Sequence, residues 1–313
     1  KSCCSTKDLE DARFVAEGLK IPFYAVDFSR EFKKEVMDYF AREYSSGRTP
    51  NPCILCNEKI KFGALFKKAK QLQADFIATG HYAKIDYDKK RKRFNLKEAR
   101  DKKKDQSYAL FGLNQSQLSE IIFPLGGYTK KEVRGISKKL KLKTADKKES
   151  QEICFIWDSS YPEFLKSNYG VKPNLGHIVD KSGNVLGRHP GFMFFTIGQR
   201  RGLGLGGNKN PMYVTEIDAK NNKITVGPRQ DLEKNTLFAD GINWVGMDGI
   251  DSPLKVKAKI RYNHKAAPAV VTSQPRRLGE VRVVFDKLQS AITPGQAVVF
   301  YKGDKVLGGG WIR

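Results

Sequence analysis

The stretch Gly47-Arg-Thr-Pro-Asn-Pro-Cys-Ile-Leu-Cys-Asn57 concentrates the unusual chemistry of the chain, because two of its five cysteines follow two prolines there. Pro50 and Pro52 fix φ and bias the residues before them toward extended conformations. We therefore expect Cys53 on a stiff loop. A helical apolar pattern begins where this stretch ends. It predicts that Cys56 lies at or near a helix N-terminus, where the reactive thiolate form is favoured.

The charge of the chain is strongly positive. Lys and Arg together number 57, against 34 Asp and Glu, and the formal net charge is +23. The segment Lys84–Lys148 holds 20 basic and 8 acidic residues, so about half of the excess lies in about one-fifth of the chain. Such clustering indicates a face for nucleic acid, and a solvated lysine-rich surface is the alternative.

The size of the chain, 313 residues of which 40% are hydrophobic, suits two or three domains. No apolar run reaches the roughly 18 residues of a membrane span. The chain begins at Lys1 rather than at Met and has no apolar signal core, so we expect a soluble protein with further residues upstream. Five cysteines, an odd number, favour a reducing compartment over a disulfide framework.

The first half of the chain alternates helical and strand patterns. Apolar spacing predicts helices over 7–18 and 32–44, and short apolar strands over 21–28 and 75–80. This alternation predicts a parallel sheet with crossover helices, in which ligands gather at the carboxyl ends of the strands. A hairpin with a basic tip is expected over 82–99.

The second half of the chain is rich in short strands and turns. Glycine and proline become frequent after about residue 165, and turn signals such as Asp180-Lys-Ser-Gly183 separate the strand patterns. The last part alternates strand and turn, which predicts a small β-barrel. We therefore divide the chain into an α/β domain (1–164), a central small β domain (165–232) and a C-terminal β-barrel domain (233–313).

The cysteines support more than one interpretation. Cys53-x-x-Cys56 is half of a structural zinc site, but zinc needs four ligands and the only other cysteine pair is Cys3-Cys4. Cys154 has apolar neighbours, which is typical of a buried inert cysteine. The residues by themselves therefore exclude neither a zinc site at Cys53 and Cys56 nor an inert role for Cys154.

Three further motifs are weak on their own. The run Gly202-Leu-Gly-Leu-Gly-Gly207 follows no strand pattern and opens no helix pattern, so we interpret it as a flexible loop rather than a dinucleotide fingerprint. His81 is more often a hydrogen-bonding loop residue than a catalyst. The pair Arg261-Tyr262 is either ordinary strand surface or a grip on an unstacked base.

Six segments stand out in order along the chain: Gly47–Asn57, Ala78-Thr-Gly-His-Tyr82, Lys104-Asp-Gln-Ser-Tyr108, Glu152-Ile-Cys-Phe155, Thr196-Ile-Gly-Gln-Arg-Arg-Gly-Leu-Gly-Leu-Gly-Gly207 and Thr293-Pro-Gly-Gln296. Together they resemble the tRNA-specific 2-thiouridylases over essentially the whole chain, which is far more specific than a lone Cys-x-x-Cys. The resemblance implies an α/β plus β fold. It comprises a Rossmann-like ATP-pyrophosphatase (adenine nucleotide alpha hydrolase-like) domain with a parallel sheet, a small central β domain and a C-terminal β-barrel.

The resemblance also implies a reaction. In the family, ATP with Mg²⁺ adenylylates O2 of the wobble uridine of tRNA (position 34), and a cysteine persulfide delivers sulfur to C2 as AMP leaves. Matched by motif, Cys56 would be the nucleophile and Cys154 the persulfide carrier, with Cys53 in an auxiliary role. The reaction would end in a Cys56–Cys154 disulfide that a reductant must reset.

The same matching assigns binding roles. Gly80 would contact ATP, whereas the family's Ser-Gly-Gly-x-Asp-Ser pyrophosphate loop is missing from the sequence and is expected upstream of Lys1. Some relatives carry Asp in place of Cys53 for proton transfer, and a thiol is a poorer acid–base group near pH 7. Asn51, Pro52 and Cys53 would face the target base, and His81, Lys104, Asp105, Gln106, Arg261, Tyr262 and Gln296 would touch tRNA.

The expected partners are tRNA, a persulfide donor or relay protein and a cellular reductant, with no membrane and no structural metal. The resemblance implies a cytoplasmic, bacterial-type location or a mitochondrial one. The main alternative is a non-catalytic tRNA-binding protein on the same scaffold, and a zinc-stabilised RNA-binding module is a third hypothesis. The presence of both Cys56 and Cys154 favours the enzyme, because a binding protein needs neither thiol.

The surroundings of Cys154 predict movement. A thiol between Ile153 and Phe155 would ordinarily be buried, yet a persulfide carrier must meet a donor, Cys56 and the uridine. We therefore expect the segment 147–157 to be mobile, with Cys154 exposed before tRNA binds.

We expect tRNA binding to weaken steeply as salt is raised, because the basic segment Lys84–Lys148 should neutralise several phosphates. The measurement is the dissociation constant for tRNA over a series of salt concentrations, plotted on logarithmic axes. A nearly flat plot would place the binding face outside this segment.

Overall fold

The computed structural model describes residues 6–142, 144–145, 153–156, 160–206, 210–274, 277 and 279–313. Helices predominate before residue 142 and strands after residue 176, as the sequence predicts. Within the described ranges, no helix is both long enough and apolar enough to cross a membrane. The α-helices are α1 Thr6–Gly18, α2 Ser29–Phe32, α3 Asp38–Ser45, α4 Pro52–Leu55, α5 Leu65–Gln71, α6 Gln115–Ser119, α7 Lys130–Lys139 and α8 Tyr161–Tyr169.

Two long helices are each assembled from shorter pieces. The π-helical segment Lys33–Met37 joins α2 to α3, and Cys56–Ala64 joins α4 to α5. The first long helix is called helix 29–45, and the second, which carries Cys53 and Cys56, the cysteine helix (52–71). Short 3₁₀ turns occupy Ser107–Leu110, Pro124–Gly127, Phe192–Phe194 and Arg229–Leu232.

The strands form sheets that differ in pairing. β1 and β4 are parallel, with Ile77 opposite Ile121. The predicted parallel sheet is therefore present, although each of these two strands is only two residues long. Strands β6-β5-β8-β7 form a four-stranded sheet in which β5 and β8 are parallel. The strands are β1 Ile77–Ala78, β2 Ala83–Asp88, β3 Arg93–Glu98, β4 Ile121–Ile122, β5 Gly176–Val179, β6 Val185–His189, β7 Tyr213–Asp218, β8 Lys223–Gly227, β9 Glu233–Asn243, β10 Leu254–Lys259, β11 Ala267–Ser273, β12 Val281–Ser290, β13 Ala297–Lys302 and β14 Lys305–Ile312.

The last six strands close into the predicted barrel. Their order is β13-β10-β11-β12-β9-β14, and β14 pairs back to β13 through antiparallel contacts. The predicted hairpin β2–β3 is also present, and it joins the barrel at β14, where Lys97 lies opposite Lys305. A hairpin from the first half of the chain therefore extends the barrel sheet.

The prediction of a strand over residues 21–28 is wrong. The structure has no strand there, and Ile21, Tyr24 and Val26 are 55%, 73% and 41% exposed. A strand needs partners for its backbone N–H and C=O groups. No strand in the described part of the chain pairs with this segment. Apolar composition alone therefore did not make it a strand.

The hydrophobic cores tie both long helices to the β-rich half of the chain. Ile54 and Phe62 of the cysteine helix share a core with Tyr301 of the barrel. Phe40 of helix 29–45 shares another core with Ile178 of the four-stranded sheet. Burial of a side chain of this size stabilises the fold by about 1.5–3 kcal/mol. Each long helix is thereby anchored against a sheet.

Candidate active site

The cysteine helix begins earlier than the sequence predicts. Asn51 precedes it in an extended conformation (φ −118°, ψ 90°). Pro52 occupies the first helical position, where its fixed φ fits and a backbone N–H is not needed. The prediction that Cys53 lies on a loop is therefore wrong: Cys53 is exposed in the first turn. Cys56 follows near the start of the same helix and is half-buried.

The residues before this helix are docked on the barrel. Nε2 of Gln296 donates hydrogen bonds to the carbonyl oxygens of Thr49 (3.0 Å) and Pro50 (3.1 Å). The backbone N–H of Thr49 donates to the carbonyl of Pro294 (2.8 Å). Gly295 has φ +88°, and a Cβ there would lie 2.9 Å from the Thr49 oxygen. These contacts, called the barrel clamp, fix the point at which the cysteine helix begins.

The body of the cysteine helix is held from a second direction. Nδ2 of Asn57, a buried residue, donates to the carbonyl of Ala109 (3.0 Å). Nε2 of Gln117 donates to the carbonyl of Phe62 (2.6 Å). The segment that follows Lys104–Tyr108 therefore lies against the helix that carries the thiols.

The segment Gly80–Tyr82 lies just beyond the carboxyl end of β1. Gly80 is exposed, and among described residues a Cβ there would meet only Leu125, at 3.8 Å. The backbone N–H of Tyr82 donates to Oε1 of Gln106 (2.9 Å), and the N–H of Gln106 donates to the carbonyl of Tyr82 (2.8 Å). These paired hydrogen bonds join the segment to Lys104–Tyr108.

His81 is 7% exposed and packs against two aromatic rings. Its ring centroid is 5.9 Å from those of Phe62 and Phe123, and Nδ1 is 2.8 Å from Oγ1 of Thr79. Burial, reinforced by the positive charge of Lys61, lowers the pKa of His81 to about 3. The imidazole is therefore neutral near pH 7. A contact between His81 and tRNA stays a prediction.

Asp105 is also buried. Its carboxylate accepts hydrogen bonds from the backbone N–H of Ala99 (2.8 Å) and from the hydroxyl of Ser107 (2.8 Å). Burial raises the pKa of Asp105, and these hydrogen bonds oppose the rise. The neighbouring Lys104 and Gln106 are half-buried. The structure thus places Asp105 under the surface that its neighbours form, and its contact with tRNA stays a prediction.

The pair Arg261-Tyr262 lies beside the segment Lys104–Tyr108. The ring of Tyr262 meets the ring of Tyr108 edge-on, with centroids 6.4 Å apart. The buried hydroxyl of Tyr108 donates to the carbonyl of Ala297 (2.8 Å), and Nη1 of Arg261 donates to the carbonyl of Ala291 (3.0 Å). Ala297 directly follows Gln296 of the barrel clamp. Tyr108 therefore connects the Arg261-Tyr262 pair to the barrel clamp through its hydrogen bond to Ala297.

Cys154 is half-buried in a turn, and the next residue anchors that turn. Phe155 packs against Phe40 of helix 29–45 (centroids 5.3 Å apart) and Phe164 of α8 (5.1 Å). Helix 29–45 also contacts the cysteine helix. Both predicted catalytic cysteines are thus carried by segments packed on one helix. The predicted mobile segment 147–157 lies outside the described residues, apart from 153–156.

The remaining motifs are Cys3-Cys4 and the glycine-rich run. Cys3 and Cys4 lie outside the described residues. Among the residues that are described, no group of three or more His, Cys, Asp or Glu side chains could hold a metal ion. The glycine-rich run is irregular from Gly202 to Gly206 and follows no strand, as predicted, while Gly207 is not among the described residues.

These contacts bring together segments that are distant in sequence. The thiols of Cys53 and Cys56, at the start of the cysteine helix, belong to the same contact network as the cation of Arg261 and the ring of Tyr262. A thiolate can act as a nucleophile, and cations with aromatic rings suit an RNA strand. The arrangement therefore supports thiol chemistry on a nucleic acid. The joined segments are 49–57, 80–82, 104–109, 259–262 and 293–297.

Comparison with known proteins agrees with this arrangement. Family models match the chain in three consecutive parts: a tRNA methyl transferase HUP domain over residues 1–158, a tRNA methyl transferase PRC-barrel domain over 162–228, and an aminomethyltransferase beta-barrel domain over 234–312. The tRNA-specific 2-thiouridylase MnmA of Acetivibrio thermocellus is 48% identical over 311 residues, which cover 99% of this chain and 86% of that protein. The chain belongs to the tRNA-specific 2-thiouridylase family.

Other members of the 2-thiouridylase family are similarly close. The protein of the same description in Clostridioides difficile is 47% identical over 313 residues, covering 99% of this chain and 85% of the relative. The one in Carboxydothermus hydrogenoformans is 48% identical over 313 residues, covering 99% and 84%. The resemblance inferred from the six segments is confirmed. The architecture of a HUP domain, a central β unit and a C-terminal barrel is confirmed with it.

We expect Gln296→Ala to speed alkylation of Cys56 about fivefold in the absence of RNA, because the lost hydrogen bonds loosen the start of the cysteine helix. The measurement is the rate of iodoacetamide modification, assigned by mass spectrometry. Gln230→Ala, at an exposed glutamine, is the control. An unchanged alkylation rate together with weaker tRNA binding would make Gln296 a tRNA contact alone.

We expect burial of His81 to make the free energy of unfolding fall as pH drops from about 6.5 toward 3. Unfolded His81 takes up a proton near pH 6.5, whereas the folded residue stays neutral to about pH 3, so protons favour the unfolded state. The slope contributed is at most about 1.4 kcal/mol per pH unit. Urea unfolding at several pH values should show that His81→Gln removes this slope.

The control substitution for this pH dependence is His177→Gln, at an exposed histidine of β5. It should leave the slope in place. If His81→Gln and the unchanged protein have the same pH dependence, His81 does not titrate in this way.

Proposed function

We propose that this chain is a sulfurtransferase that makes 2-thiouridine at the wobble position of tRNA in an ATP-dependent reaction. Family membership supports the reaction class. One observation carries the proposal for this chain's own residues: the barrel clamp holds the start of the cysteine helix beside the segments that the family resemblance directs at RNA. We assign the target uridine to this start, formed by Asn51, Pro52 and Cys53, where Cys53 is exposed and the side chain of Pro52 is buried.

Cys56 is the proposed nucleophile and Cys154 the proposed persulfide carrier. In one route the Cys56 thiolate attacks Sγ of Cys154, and the departing hydrosulfide attacks C2 of the uridine. In the other, the terminal sulfur of the persulfide attacks C2 directly, and Cys56 then attacks Sγ of Cys154 to release the thiocarbonyl product. Both routes leave a Cys56–Cys154 disulfide, which two electrons from a cellular dithiol reduce.

The residues around β1 fit a nucleotide. Gly80 is exposed at the carboxyl end of the parallel pair, where ligands of such sheets bind, and its missing side chain leaves the backbone open. ATP with Mg²⁺, when bound, supplies the adenylyl group that turns the uridine oxygen into a leaving group. Gly80 would hold it through the backbone, while neutral His81 stays in the interior behind that position.

The proposed tRNA surface spreads outward from the site over exposed basic residues. The ammonium of Lys130 lies 5.8 Å from the ring centroid of Tyr82, so the start of α7 borders the site. The hairpin between β2 and β3 carries a second group of exposed cations. Exposed basic residues on these two elements are Lys89, Lys90, Arg91, Lys92, Lys131, Arg134, Lys138 and Lys139. Phosphates are the natural partners of such a surface.

We assign the remaining tRNA contacts to residues near Tyr82 and Tyr108, and the contacts around these two tyrosines support that assignment. The side chain of Gln106 accepts a hydrogen bond from the backbone of Tyr82, and Lys104 lies two residues before Gln106; the ring of Tyr262, which follows Arg261, meets that of Tyr108. Asp105 would act through the surface above it, because its carboxylate oxygens are engaged with backbone and hydroxyl donors. The chemistry further requires a protein that donates persulfide and a reductant. Both requirements suit a reducing compartment.

We expect Cys56→Ser and Cys154→Ser each to abolish 2-thiouridine formation while leaving tRNA affinity within about threefold, because phosphate contacts carry most of the affinity and need neither thiol. Thiouridine is measured by nucleoside mass spectrometry of tRNA after incubation of the full-length protein with ATP and a sulfur donor. Cys4→Ser, outside the motifs that assign the two catalytic thiols, is the matched control.

Appreciable turnover by either variant would contradict the assigned chemistry. A large loss of affinity in both variants would instead indicate that the thiols act in binding. Retention of tRNA binding with loss of turnover also separates this proposal from a non-catalytic tRNA-binding protein, in which neither substitution changes a reaction.

A further inference from the structure

Lys259, at the end of β10, lies against two tyrosine rings. Its ammonium is 5.6 Å from the ring centroid of Tyr108 and 5.5 Å from that of Tyr262. Both distances are within the roughly 6 Å reach of a cation–π interaction. Such an interaction is stronger where water is excluded, and Lys259 is half-buried. The side chain therefore links a buried ring to an exposed one.

The buried ring forms a rigid base. Tyr108 is fully buried, and its hydroxyl is tied to the carbonyl of Ala297 at 2.8 Å. Tyr262 is 38% exposed and meets Tyr108 edge-on. An exposed tyrosine on the surface would ordinarily sample several orientations, at a cost when it binds a partner. Here Lys259 and Tyr108 restrict the ring of Tyr262 before any partner arrives.

The surroundings of Lys259 act on its charge in opposite directions. Burial lowers the pKa of Lys259, and the carboxylates of Asp105 and Glu98 oppose that effect. Asp105 is itself fixed by hydrogen bonds from Ala99 and Ser107. The buried carboxylate therefore has a structural consequence: it favours a cation against the two rings, where a neutral amine would interact only weakly with them.

We propose that Lys259 is a positioning residue that orients Tyr262 as a stacking platform for an unpaired base of the RNA substrate. The inference rests on the proposed function, because it takes tRNA as the ligand. An exposed ring held in one orientation presents a π surface on which a base of any identity stacks. Arg261 steadies the same turn through its hydrogen bond to the carbonyl of Ala291. Direct contact of Lys259 with a phosphate is the alternative.

The experiment is a double-mutant cycle on tRNA binding with Lys259→Met, Tyr262→Ala and the double variant. Tyr262→Ala should weaken binding about 5- to 150-fold, the effect of one stacked base. Lys259→Met should weaken it about 3- to 30-fold, the range of a cation–π contact. In the Tyr262→Ala background, Lys259→Met should change affinity by less than about twofold, because the ring that it orients is absent.

The matched control is Lys257→Met. Lys257 lies on the same face of β10 two residues earlier, and it is exposed. The effect of Lys257→Met on the free energy of tRNA binding, large or small, should simply add to the effect of Tyr262→Ala. Lys259→Arg should keep affinity within about threefold, because a guanidinium also stacks on aromatic rings. The Lys259→Met variant should also keep the salt dependence of binding unchanged.

Two outcomes would overturn the inference. Additive effects of Lys259→Met and Tyr262→Ala would show that Lys259 does not act through the ring. If Lys259→Met reduces the slope of log affinity against log salt concentration by about one, Lys259 is a phosphate contact. Thermal melting checks that each variant folds, and Lys259→Gln replaces Lys259→Met if the latter does not. If the unsubstituted protein forms no 2-thiouridine but the effects of Lys259→Met and Tyr262→Ala on binding are non-additive as expected, only the catalytic assignment is rejected. If thiolation is normal but the two effects on binding are additive, only this inference is rejected.

Discussion

The hydrogen bonds from one barrel glutamine to the residues before the cysteine helix are the constraint on which the site depends. Gln296 satisfies the carbonyls of Thr49 and Pro50 from 247 and 246 positions further along the chain. A stretch with two prolines has few backbone donors and cannot hold itself in a sheet. Because the helix starts two residues after Pro50, this docking sets where Cys53 and Cys56 stand.

The site then uses buried groups to orient exposed ones. Tyr108 lies beneath Tyr262, Asp105 lies beneath the surface of Lys104 and Gln106, and His81 is neutral and enclosed by aromatic rings. None of the buried groups is well placed for a partner as large as tRNA. Their contribution is to fix backbone and rings, so that less conformational freedom is lost when a partner binds.

The errors of sequence reasoning have local physical reasons. Two prolines predicted a loop at Cys53, but Pro52 at the first helical position starts a helix instead of preventing one. The apolar run 21–28 predicted a strand, although a strand exists only with a partner. Lys259 was missed because it is one of 57 basic residues. Strand alternation puts Lys257 and Lys259 on the same face of β10, and only the structure shows that Lys259 is half-buried whereas Lys257 is exposed.

The sequence alone determined the fold class, the presence of a parallel sheet, the barrel and the family, because period, turn residues and motif spacing are local properties of the chain. It also determined the basic charge, which is a matter of composition. Only the tertiary structure decided that the β2–β3 hairpin joins the barrel at β14, that Gln296 reaches the start of the cysteine helix, and that Lys259 lies against two rings. Those facts depend on contacts between residues far apart in sequence, and no local pattern encodes which of many lysines or glutamines will make them.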